Sequence, residues 1–289
     1  MMEEPKLRKR LKKLLSGVLP SNELIHVCNS YDVVGDVAIL PLADVSQRHS
    51  RVIAEVIMSI HKNVETVLVQ IGPVNGDFRL RRLEYVVGEN KTATVHKESG
   101  CTFHVDVEKC YFSPRLFYER KRIAELVKNG EIVVNMFAGA GCFSIVIAKH
   151  SNVKIVYSID VNPVAVQFLR ENVRVNRVYG KVVPILGDAK EIIKKRLNNI
   201  ANRVLMPLPE KAFEYLPYAL LSLKKTGGWI HYYDFEHANK NENPVEKTAR
   251  KVTDKLEGLG VDFQVSFGRV VRTTGPNWYQ VVLDIAVQQ

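Results

Sequence analysis

Asp160 and Asp188 each stand just after an apolar segment that reads as a strand. In an α/β fold, the ends of such strands are where a nucleoside binds. The run from Val133 to Ile145 reads as a strand, a small-residue turn around Gly139 and Gly141, and the start of a helix. A second apolar strand ends in Asp160, about 20 residues after the first glycine, which is the usual spacing to a ribose-binding acid. This pattern predicts a site for an adenosine-bearing cofactor.

The glycine turn favours S-adenosylmethionine over a dinucleotide. Its last position is Ser144, where a Gly-x-Gly-x-x-Gly motif would have a third glycine. A pyrophosphate needs close backbone N–H contacts at the helix start, whereas a cofactor without phosphates needs only close approach and the ribose acid. Asp188 follows the third strand, where it can accept from an adenine amino group. The segment Pro207-Leu208-Pro209 follows the fourth strand, where methyltransferases place their substrate base.

Each of these features also has an ordinary structural explanation. Asp160 could cap the helix that begins at Pro163. Asp188 could cap the next helix, and the prolines could merely end a strand. All three features fall at consecutive carboxyl ends of predicted parallel strands, which is the edge where such sheets bind ligands. We therefore favour the functional interpretation.

The composition indicates a globular protein with an anionic partner. Hydrophobic residues make up 46% of the 289 residues, and the net charge is +10, from 41 Lys and Arg against 31 Asp and Glu. This excess favours nucleic acid, with solubility alone as the alternative. No apolar run approaches the roughly 20 residues of a membrane span, and the N-terminus lacks the apolar core of a secretory signal. The four cysteines show no paired spacing. We expect a cytoplasmic protein with no metal and no membrane partner.

The order of the predicted elements divides the chain into three parts. A basic segment (1–21), with a short helix from Lys6 to Leu15, precedes a small α+β domain (22–106). The third part (107–289) alternates strand and helix, with predicted strands at 132–135, 153–159, 181–186, 203–206, 229–233, 263–271 and 278–286. This alternation predicts an α/β fold with a doubly wound, largely parallel sheet and a C-terminal hairpin.

Several longer segments are specific in combination. They are Gly76-Asp77-Phe78-Arg79-Leu80-Arg81, Tyr111-Phe112-Ser113-Pro114-Arg115-Leu116 with Glu119-Arg120, Met136-Phe137-Ala138-Gly139-Ala140-Gly141, Asp160-Val161-Asn162-Pro163, Gly187-Asp188-Ala189 and Gly228-Trp229-Ile230-His231-Tyr232-Tyr233. Together they resemble the archaeal and eukaryotic tRNA (guanine-N1)-methyltransferases, from about Tyr31 to the C-terminus. The resemblance implies a Rossmann-like class I methyltransferase domain that uses S-adenosylmethionine. It also implies an enzyme that binds the tRNA anticodon stem-loop and methylates guanosine 37, 3′ of the anticodon. We expect the protein to be a monomer.

The resemblance implies roles at matching positions. Those implied at the cofactor are Ser113, Arg120, Phe137, Asp160, Val161, Asp188, Ala189 and Pro207. Those implied at the target base are Glu119, Arg79, Tyr111 and Arg115. Glu119 would be the general base, because guanine N1 must lose its proton as the methyl group arrives. Arg79 would stabilise the charge that develops on O6. Without the resemblance, Glu119 reads as a helix-surface residue paired with Arg115 or Arg122, and Arg79 as part of a phosphate-binding cluster.

Three features depart from the family pattern. Pro207 stands where the family usually has Asn, and proline offers the guanine edge neither a side-chain group nor an N–H. Asn135 stands where the family has Asp. We expect the family's extra N-terminal domain, which inspects tRNA shape, to be absent or reduced to the segment before Pro20.

These departures keep related activities open. One is methylation of carbon 7 of the tricyclic wyosine precursor at the same nucleotide. The alternative to methyl transfer is transfer of the 3-amino-3-carboxypropyl group of the same cofactor, as in the wybutosine pathway. A third hypothesis is an RNA-binding module that does not bind S-adenosylmethionine, and the intact Asp160 and Asp188 argue against it.

Overall fold

The structure, a computed structural model, describes residues 11, 13–24, 31–41, 46–74, 76 and 78–288. It divides the chain into two compact units, Met1–Pro114 and Arg115–Gln289. The boundary expected between residues 106 and 107 stays a prediction. The predicted helix from Lys6 to Leu15 lies largely outside the described residues. Within it, residues 11 and 13–15 are described, and they are helical. Cys28 and Asp77 also lie outside them.

The first unit contains a four-stranded sheet of order β1-β2-β3-β4. Its elements are α1 (Ser21–Leu24), β1 (Asp32–Val34), β2 (Val37–Pro41), α2 (Ser46–Ile60), β3 (Thr66–Gln70) and β4 (Leu83–Gly88). The chain crosses from β2 to β3 through α2, so these two strands are parallel, and the other neighbours are antiparallel. Ile53 and Ile57 of α2 are buried against the apolar residues of β2 and β3.

A separate hairpin completes the first unit. It consists of β5 (Ala93–Glu98) and β6 (Cys101–Asp106). Ser99 and Gly100 at its turn have φ values of 47° and 65°. Two residues with positive φ match the right-handed twist of the strands, and this fixes the short turn.

The second unit is built on a seven-stranded sheet of order β12-β13-β11-β10-β7-β8-β9. Its strands are β7 (Ile132–Asn135), β8 (Ile155–Asp160), β9 (Val182–Leu186), β10 (Arg203–Met206), β11 (Gly228–His237), β12 (Asp262–Gly275) and β13 (Trp278–Gln288). Its α-helices are α3 (Phe117–Leu126), α4 (Cys142–His150), α5 (Pro163–Val175), α6 (Ala189–Arg196), α7 (Pro209–Ser222) and α8 (Pro244–Glu257). A single 3₁₀ turn, Pro114–Leu116, precedes α3.

This architecture confirms the predicted α/β fold. Strands β9, β8, β7, β10 and β11 are mutually parallel, and β13 runs antiparallel to both β11 and β12. Helices α6, α7 and α8 bury Ile193, Leu216 and Leu256 in one core with the sheet, and α3, α4 and α5 bury Ile123, Ile145 and Leu169. Within the described residues, no helix combines the length and the apolarity that crossing a membrane requires.

The last part of β11 extends past its parallel neighbour. β10 pairs with β11 only as far as Tyr232, and residues 233–237 pair with β13 alone. The paired segments 233–237, 269–275 and 278–282 form a three-stranded extension that we call the projecting ribbon. It leaves the sheet at the carboxyl end of β10, the same edge that carries Asp160 and Asp188.

Candidate active site

The glycine turn and the predicted ribose acid are in direct contact. Gly139 and Gly141 have φ values of 55° and 91°, a conformation that non-glycine residues rarely adopt. The N–H of Gly139 donates to Oδ2 of Asp160 at 2.6 Å, and the N–H of Asn162 donates to Oδ1 at 2.9 Å. Burial raises the pKa of Asp160, and these backbone bonds oppose the shift. The carboxylate is thereby held at the carboxyl end of β8, beside the turn.

Asp160 does not cap the helix that follows it. The cap of α5 is Asn162, whose side chain accepts from the N–H groups of Val164 at 3.0 Å and Ala165 at 3.4 Å. The capping explanation for Asp160 is therefore wrong, because the residue two positions later serves that purpose. A carboxylate has about four lone-pair sites, and the N–H of Val161 is a further backbone partner, so at least one site remains for a ribose hydroxyl.

Asp188 does cap a helix, and it has a second partner that the sequence did not reveal. Its Oδ1 accepts from the N–H of Lys190 at 2.7 Å, at the start of α6. Its Oδ2 accepts from the hydroxyl of Tyr215 in α7 at 2.8 Å. Burial and the bond to Asp188 raise the pKa of Tyr215, which keeps its phenol protonated. Capping and adenine binding are compatible at this residue, since Oδ2 retains a lone pair.

The surroundings of Asp160 and Asp188 suit an adenosine group. Val161 and Leu186, at the ends of β8 and β9, are 48% and 47% exposed although both are apolar. The ring of Phe137, after β7, lies 5.3 Å from the ring of Tyr215 in an edge-to-face arrangement. Exposed apolar side chains flanking two carboxylates fit the faces and the polar edges of a nucleoside. Ala189 is buried in the core, so only its backbone is available to a ligand.

Asn135 lies under the glycine turn in a neutral hydrogen-bond arrangement. It is fully buried, and its Nδ2 donates to Oγ of Ser144 at 3.1 Å. The hydroxyl of Ser158 also donates to Ser144 Oγ, at 2.7 Å. A carboxylate at position 135 would have no hydrogen to donate to this hydroxyl, so the amide suits its surroundings.

The prolines after β10 begin a helix. β10 ends at Met206, and Pro209 occupies the first turn of α7, where its missing N–H costs no hydrogen bond. Pro207 is half-buried in the connection between them. The segment therefore ends β10 and starts α7, at the edge of the sheet that carries Asp160 and Asp188.

Three predicted residues lie in the first unit. The guanidinium of Arg79 lies 4.5 Å from the ring centre of Tyr111, so these two are brought together. Arg79 has a φ of 54°, which is uncommon outside glycine. Ser113 is buried. In the second unit, Arg120 is buried on α3 and Arg115 is half-buried in the turn before it.

Glu119 is a buried carboxylate with three donors. Its oxygens accept from Arg122 at 2.7 to 3.1 Å, from Arg269 of β12 at 2.6 Å and from the hydroxyl of Tyr233 at 2.8 Å. Burial opposes its ionisation, but these donors outweigh burial and lower the pKa of Glu119. The expected pairing with Arg122 is present. The side chain is only 1% exposed, so Glu119 is not the helix-surface residue that this pairing suggested.

The charged cluster continues from Arg122 along the same face of the sheet, across β13, β11 and β10. Arg122 also donates to both oxygens of Asp284 in β13, at 2.6 and 3.1 Å. Asp284 contacts Nδ1 of His231 at 2.6 Å, and Nε2 of His231 contacts Arg203 at 2.6 Å. Because a guanidinium only donates, Nε2 accepts and Nδ1 carries the proton, which makes His231 neutral. Burial lowers the pKa of His231, in agreement with this state.

The cluster is balanced in charge. Arg203 donates to both oxygens of Glu131, at 2.8 and 3.1 Å. The carboxylates of Glu119, Asp284 and Glu131 thus match the guanidinium groups of Arg122, Arg269 and Arg203. Buried ion pairs are stable only when each charge has partners of this kind, and removing one member of such a pair costs about 3–5 kcal/mol.

A ring contact links Glu119 to the glycine turn. The ring of Tyr233, whose hydroxyl bonds Glu119, lies 6.0 Å from the ring of Phe143. Phe143 lies in the first turn of α4, two residues after Gly141. The predicted base and the predicted cofactor turn are therefore separated by two side chains within the second unit.

Sequence reasoning missed five residues of this site: Tyr215, His231, Tyr233, Arg269 and Asp284. His231 and Tyr233 stand in a quoted segment, and their alternation along a strand was a signal that both point to one face. Arg269 and Asp284 gave no local signal, because their partners are distant in sequence.

The sequence matches two known family patterns. Residues 94–261 match the TRM5/TYW2 methyltransferase domain. Residues 11–92 match the TYW2 N-terminal domain. Together the two matches cover most of the chain.

Three similar proteins show the range of relatives. The tRNA (guanine(37)-N(1))-methyltransferase Trm5b of Pyrococcus abyssi is 38% identical over 258 residues, 89% of this chain and 74% of its own. Its crystal structure has a TM-score of 0.83 over 94% of this chain and 79% of that one, at 36% identity. The tRNA 4-demethylwyosine(37)-methyltransferase Taw21 of Saccharolobus solfataricus is 40% identical over 255 residues, 88% of this chain and 92% of its own. The structure of Pyrococcus horikoshii TYW2 with MeSAdo has a TM-score of 0.75, at 30% identity over 97% of this chain and 99% of that one.

Proposed function

The chain belongs to the TRM5/TYW2 methyltransferase family, and from this premise we propose that it transfers the methyl group of S-adenosylmethionine to N1 of guanosine 37 in tRNA. One observation carries the cofactor half of the proposal. The N–H of Gly139 donates to Asp160 at 2.6 Å and so fixes a ribose-binding carboxylate beside a turn that a ligand can approach closely.

The proposed cofactor residues bind different parts of the cofactor. Asp160 binds the ribose hydroxyls, Asp188 with the backbone of Ala189 binds the adenine edge, and Val161 and Phe137 cover the adenine faces. Ser113 and Arg120 hold the methionine end, and Pro207 borders the pocket. When bound, S-adenosylmethionine supplies an electrophilic methyl group.

Glu119 is proposed as the base that removes the N1 proton. Guanine N1 is a poor nucleophile while protonated, and a positioned base typically contributes about 10²–10⁴-fold in rate. The depressed pKa of Glu119 keeps it ionised at neutral pH, ready to accept a proton. Arg79, Tyr111 and Arg115 are proposed to hold the guanine, with Arg79 stabilising the negative charge on O6.

Access to Glu119 requires one of its donors to move. Arg122 is fixed by its second carboxylate partner, Asp284, and Tyr233 is fully buried. Arg269 is 28% exposed and reaches Glu119 from the edge strand β12. We infer that the bond from Arg269 to Oε2 is the one that the guanine N1–H replaces.

Methyl uptake tests the function. Cofactor labelled on its methyl group, incubated with transcripts that have guanosine or a pyrimidine at position 37, should label only the guanosine transcript, and nucleoside mass spectrometry should identify N1-methylguanosine. Equal labelling of both transcripts would contradict the site of methylation. Glu119→Gln should lower kcat by about 100-fold or more. The matched control is Glu125→Gln on the same helix, whose carboxylate is 65% exposed and faces Lys121. It should retain full activity.

A second candidate substrate has its own support. Pro207 offers no group to read the Watson–Crick edge of guanine, and the chain spans 92% of the length of a 4-demethylwyosine methyltransferase. Methylation of C7 of the tricyclic precursor at position 37 is therefore proposed as a further activity. tRNA that carries the precursor should take up methyl label. If one site serves both substrates, transcripts with guanosine 37 should inhibit this labelling competitively.

Transfer of the aminocarboxypropyl group is the alternative reaction. Its support is the match of residues 11–92 to the TYW2 N-terminal domain. Cofactor labelled on the methyl carbon in one experiment and on the carboxyl carbon in another separates the two reactions, because only one label enters the tRNA in each. If the carboxyl-carbon label enters the tRNA, the reaction is aminocarboxypropyl transfer and the proposal of methyl transfer fails.

We further propose that the protein acts in the archaeal cytoplasm as a monomer and without a metal ion. The relatives named above come from archaea, which supports the origin. A carboxylate base and an activated methyl group suffice for the chemistry, which supports a metal-free mechanism. Full activity after treatment with EDTA and a monomeric mass in light scattering are the expected results.

A further inference from the structure

One face of the projecting ribbon, together with the adjoining Phe267 of β12, carries arginines and exposed aromatic rings. Phe267 is 41% exposed and Trp278 is 47% exposed. Arg269 and Arg272 lie between them on β12. The hairpin has no acidic residue from Phe263 to Leu283. This combination of cations and uncovered rings is typical of surfaces that bind single-stranded nucleic acid.

Strand register places these side chains on the same face. Phe267 pairs with Asp284, Arg269 with Val282, and Arg272 with Gln280. Arg269 and Arg272 are three residues apart, which in a regular strand would place them on opposite faces. A register shift between Val270 and Arg272 adds one residue to β12, so Arg272 lies on the same face as Arg269. Directly paired residues of antiparallel strands share a face, and alternate residues of β13 do the same.

Contacts confirm this assignment. The guanidinium of Arg122 lies 5.0 Å from the ring centre of Phe267, on the side of the sheet where α3 packs. The guanidinium of Arg269 lies 4.9 Å from the ring of Tyr118, which is 57% exposed on α3. Arg272 Nε donates to Gln280 at 2.7 Å. The ring of His237 lies 5.4 Å from that of Trp278.

The opposite face of the ribbon is occupied by α8. Lys251 bonds Asp234 at 2.7 Å, and Lys247 donates to the carbonyl of His237 at 2.7 Å. Beneath Gly268, a Cβ would collide with Val245. The side chains of Tyr118, Phe267, Arg269, Arg272 and Trp278 therefore form a surface on the other face alone, which we call the aromatic–arginine row.

The row begins at the predicted base. Arg269 bonds Glu119, and its partner Val282 lies four residues from Trp278, a span of about 13 Å along an extended strand. Stacked bases are about 3.4 Å apart, so the row has room for more than one nucleotide. Charge complementarity selects a polyanion, and the exposed rings select unpaired bases over a duplex, whose bases are already stacked.

We propose that the aromatic–arginine row binds the unpaired anticodon-loop nucleotides next to the target base, with Phe267 and Trp278 stacking on bases and Arg272 contacting phosphate. This inference rests on the proposed function, because it takes tRNA as the substrate. It assigns one surface of the catalytic unit to the loop nucleotides that are not modified.

Affinity for an RNA hairpin with the anticodon stem and loop tests the row. Trp278→Ala and Phe267→Ala should each raise the dissociation constant by about tenfold or more. Arg272→Gln should weaken binding and reduce its salt dependence, since one phosphate contact is lost. The matched controls are Arg250→Gln, on the exposed side of α8, and Tyr179→Ala, whose ring is 74% exposed in the loop after α5. Neither should alter the affinity. Calorimetry with S-adenosylmethionine should give unchanged binding for all five variants, which verifies their folding.

The fluorescence of Trp278 reports directly whether its ring contacts RNA bases. A purely structural role of Trp278 would not change its fluorescence when RNA binds. The chain has two tryptophans, so Trp229→Phe leaves Trp278 as the only tryptophan, whose emission is followed. The hairpin should quench Trp278, whereas a perfect duplex of equal length should bind without quenching it. Binding of the hairpin without quenching, or unchanged affinity of Trp278→Ala, would overturn the inference.

The outcomes for the row and for the proposed function are separable. If the unaltered protein transfers no methyl group, the proposed function fails, and quenching by the hairpin still decides the row. If methyl transfer is normal in Trp278→Ala and in Phe267→Ala, with unchanged KM for tRNA, the row fails and the proposed function stands.

Discussion

Tyr233 donates its hydroxyl proton to Glu119 across 114 residues of chain, at 2.8 Å. This bond favours the ionised carboxylate, so Tyr233→Phe should raise the pKa of Glu119 toward its ordinary value. The acid limb of the kcat profile should then move to higher pH if Glu119 is the base. Tyr232→Phe is the control, because its hydroxyl bonds Asp234 on the other face of β11. An unshifted limb in Tyr233→Phe would argue against Glu119 as the base.

The two functions assigned to Asp188 can be separated by one substitution. Asparagine caps helices as well as aspartate does, so Asp188→Asn should keep the unfolding free energy within about 0.5 kcal/mol. It loses one acceptor oxygen, so the dissociation constant of S-adenosylmethionine should rise about five- to tenfold. Urea unfolding and calorimetry measure the two effects. Unchanged cofactor affinity in Asp188→Asn would leave Asp188 as a cap alone.

Asp160 should respond differently. Both of its oxygens accept from backbone N–H groups, those of Gly139 and Asn162. In Asp160→Asn an NH₂ group would face one of these donors, so we expect a loss of about 1–3 kcal/mol of stability together with weaker cofactor binding. Urea unfolding and calorimetry again provide the measurements. Unchanged cofactor affinity would contradict the role of Asp160 at the ribose.

Pro207 should limit recognition of unmodified guanine. Pro207→Asn adds a side-chain donor and acceptor at the end of β10, so kcat/KM for guanosine 37 transcripts should rise, by about tenfold for one added hydrogen bond. The affinity for S-adenosylmethionine serves as the control and should not change. If Pro207→Asn leaves kcat/KM for guanosine 37 transcripts and activity on the wyosine precursor both unchanged, position 207 does not recognise the target base.

The buried charged cluster should make the protein sensitive to acid. The pKa values of Glu119 and Asp284 lie below their ordinary values of 4.5 and 3.8, since hydrogen bonds from Arg122 and its neighbours outweigh burial. Carboxyl groups with depressed pKa values stabilise the fold fully above the unfolded values and lose that contribution as pH falls. The unfolding free energy should therefore decline below about pH 5. Asp284→Asn should cost about 3–5 kcal/mol at pH 7 and flatten this decline. An equally steep decline in the variant would exclude Asp284 as its source.

The sequence was sufficient for the parallel part of the sheet, because each strand there is a short apolar run between turn residues. The ends of β7, β9 and β10 were placed within a residue or so of those in the structure. The length of β11 was underestimated, since it was predicted to stop at Tyr233 and continues to His237. Those extra residues are held by pairing with β13, and no local pattern indicates which distant strand will pair.

The same limit applies to the site. The position of Asp160 follows from spacing along one βαβ unit, which is local information. The burial of Glu119 depends on Arg269 and Tyr233, and their approach is decided by the strand order β12-β13-β11. From helix periodicity, the only one of these three partners of Glu119 that could be predicted was Arg122, three residues away on the same helix.

Neighbouring residues of β11 serve opposite sides of the sheet. Tyr232, Asp234 and Glu236 interact with one another or with α8, whereas His231 and Tyr233 bond Asp284 and Glu119. Deleting a single residue from this strand would exchange the two sets and turn the acidic pair Asp234 and Glu236 toward Glu119. The strand thus tolerates substitution far better than a change of length, and natural variation in this protein should accumulate as replacements there and as insertions only in the connections at its ends.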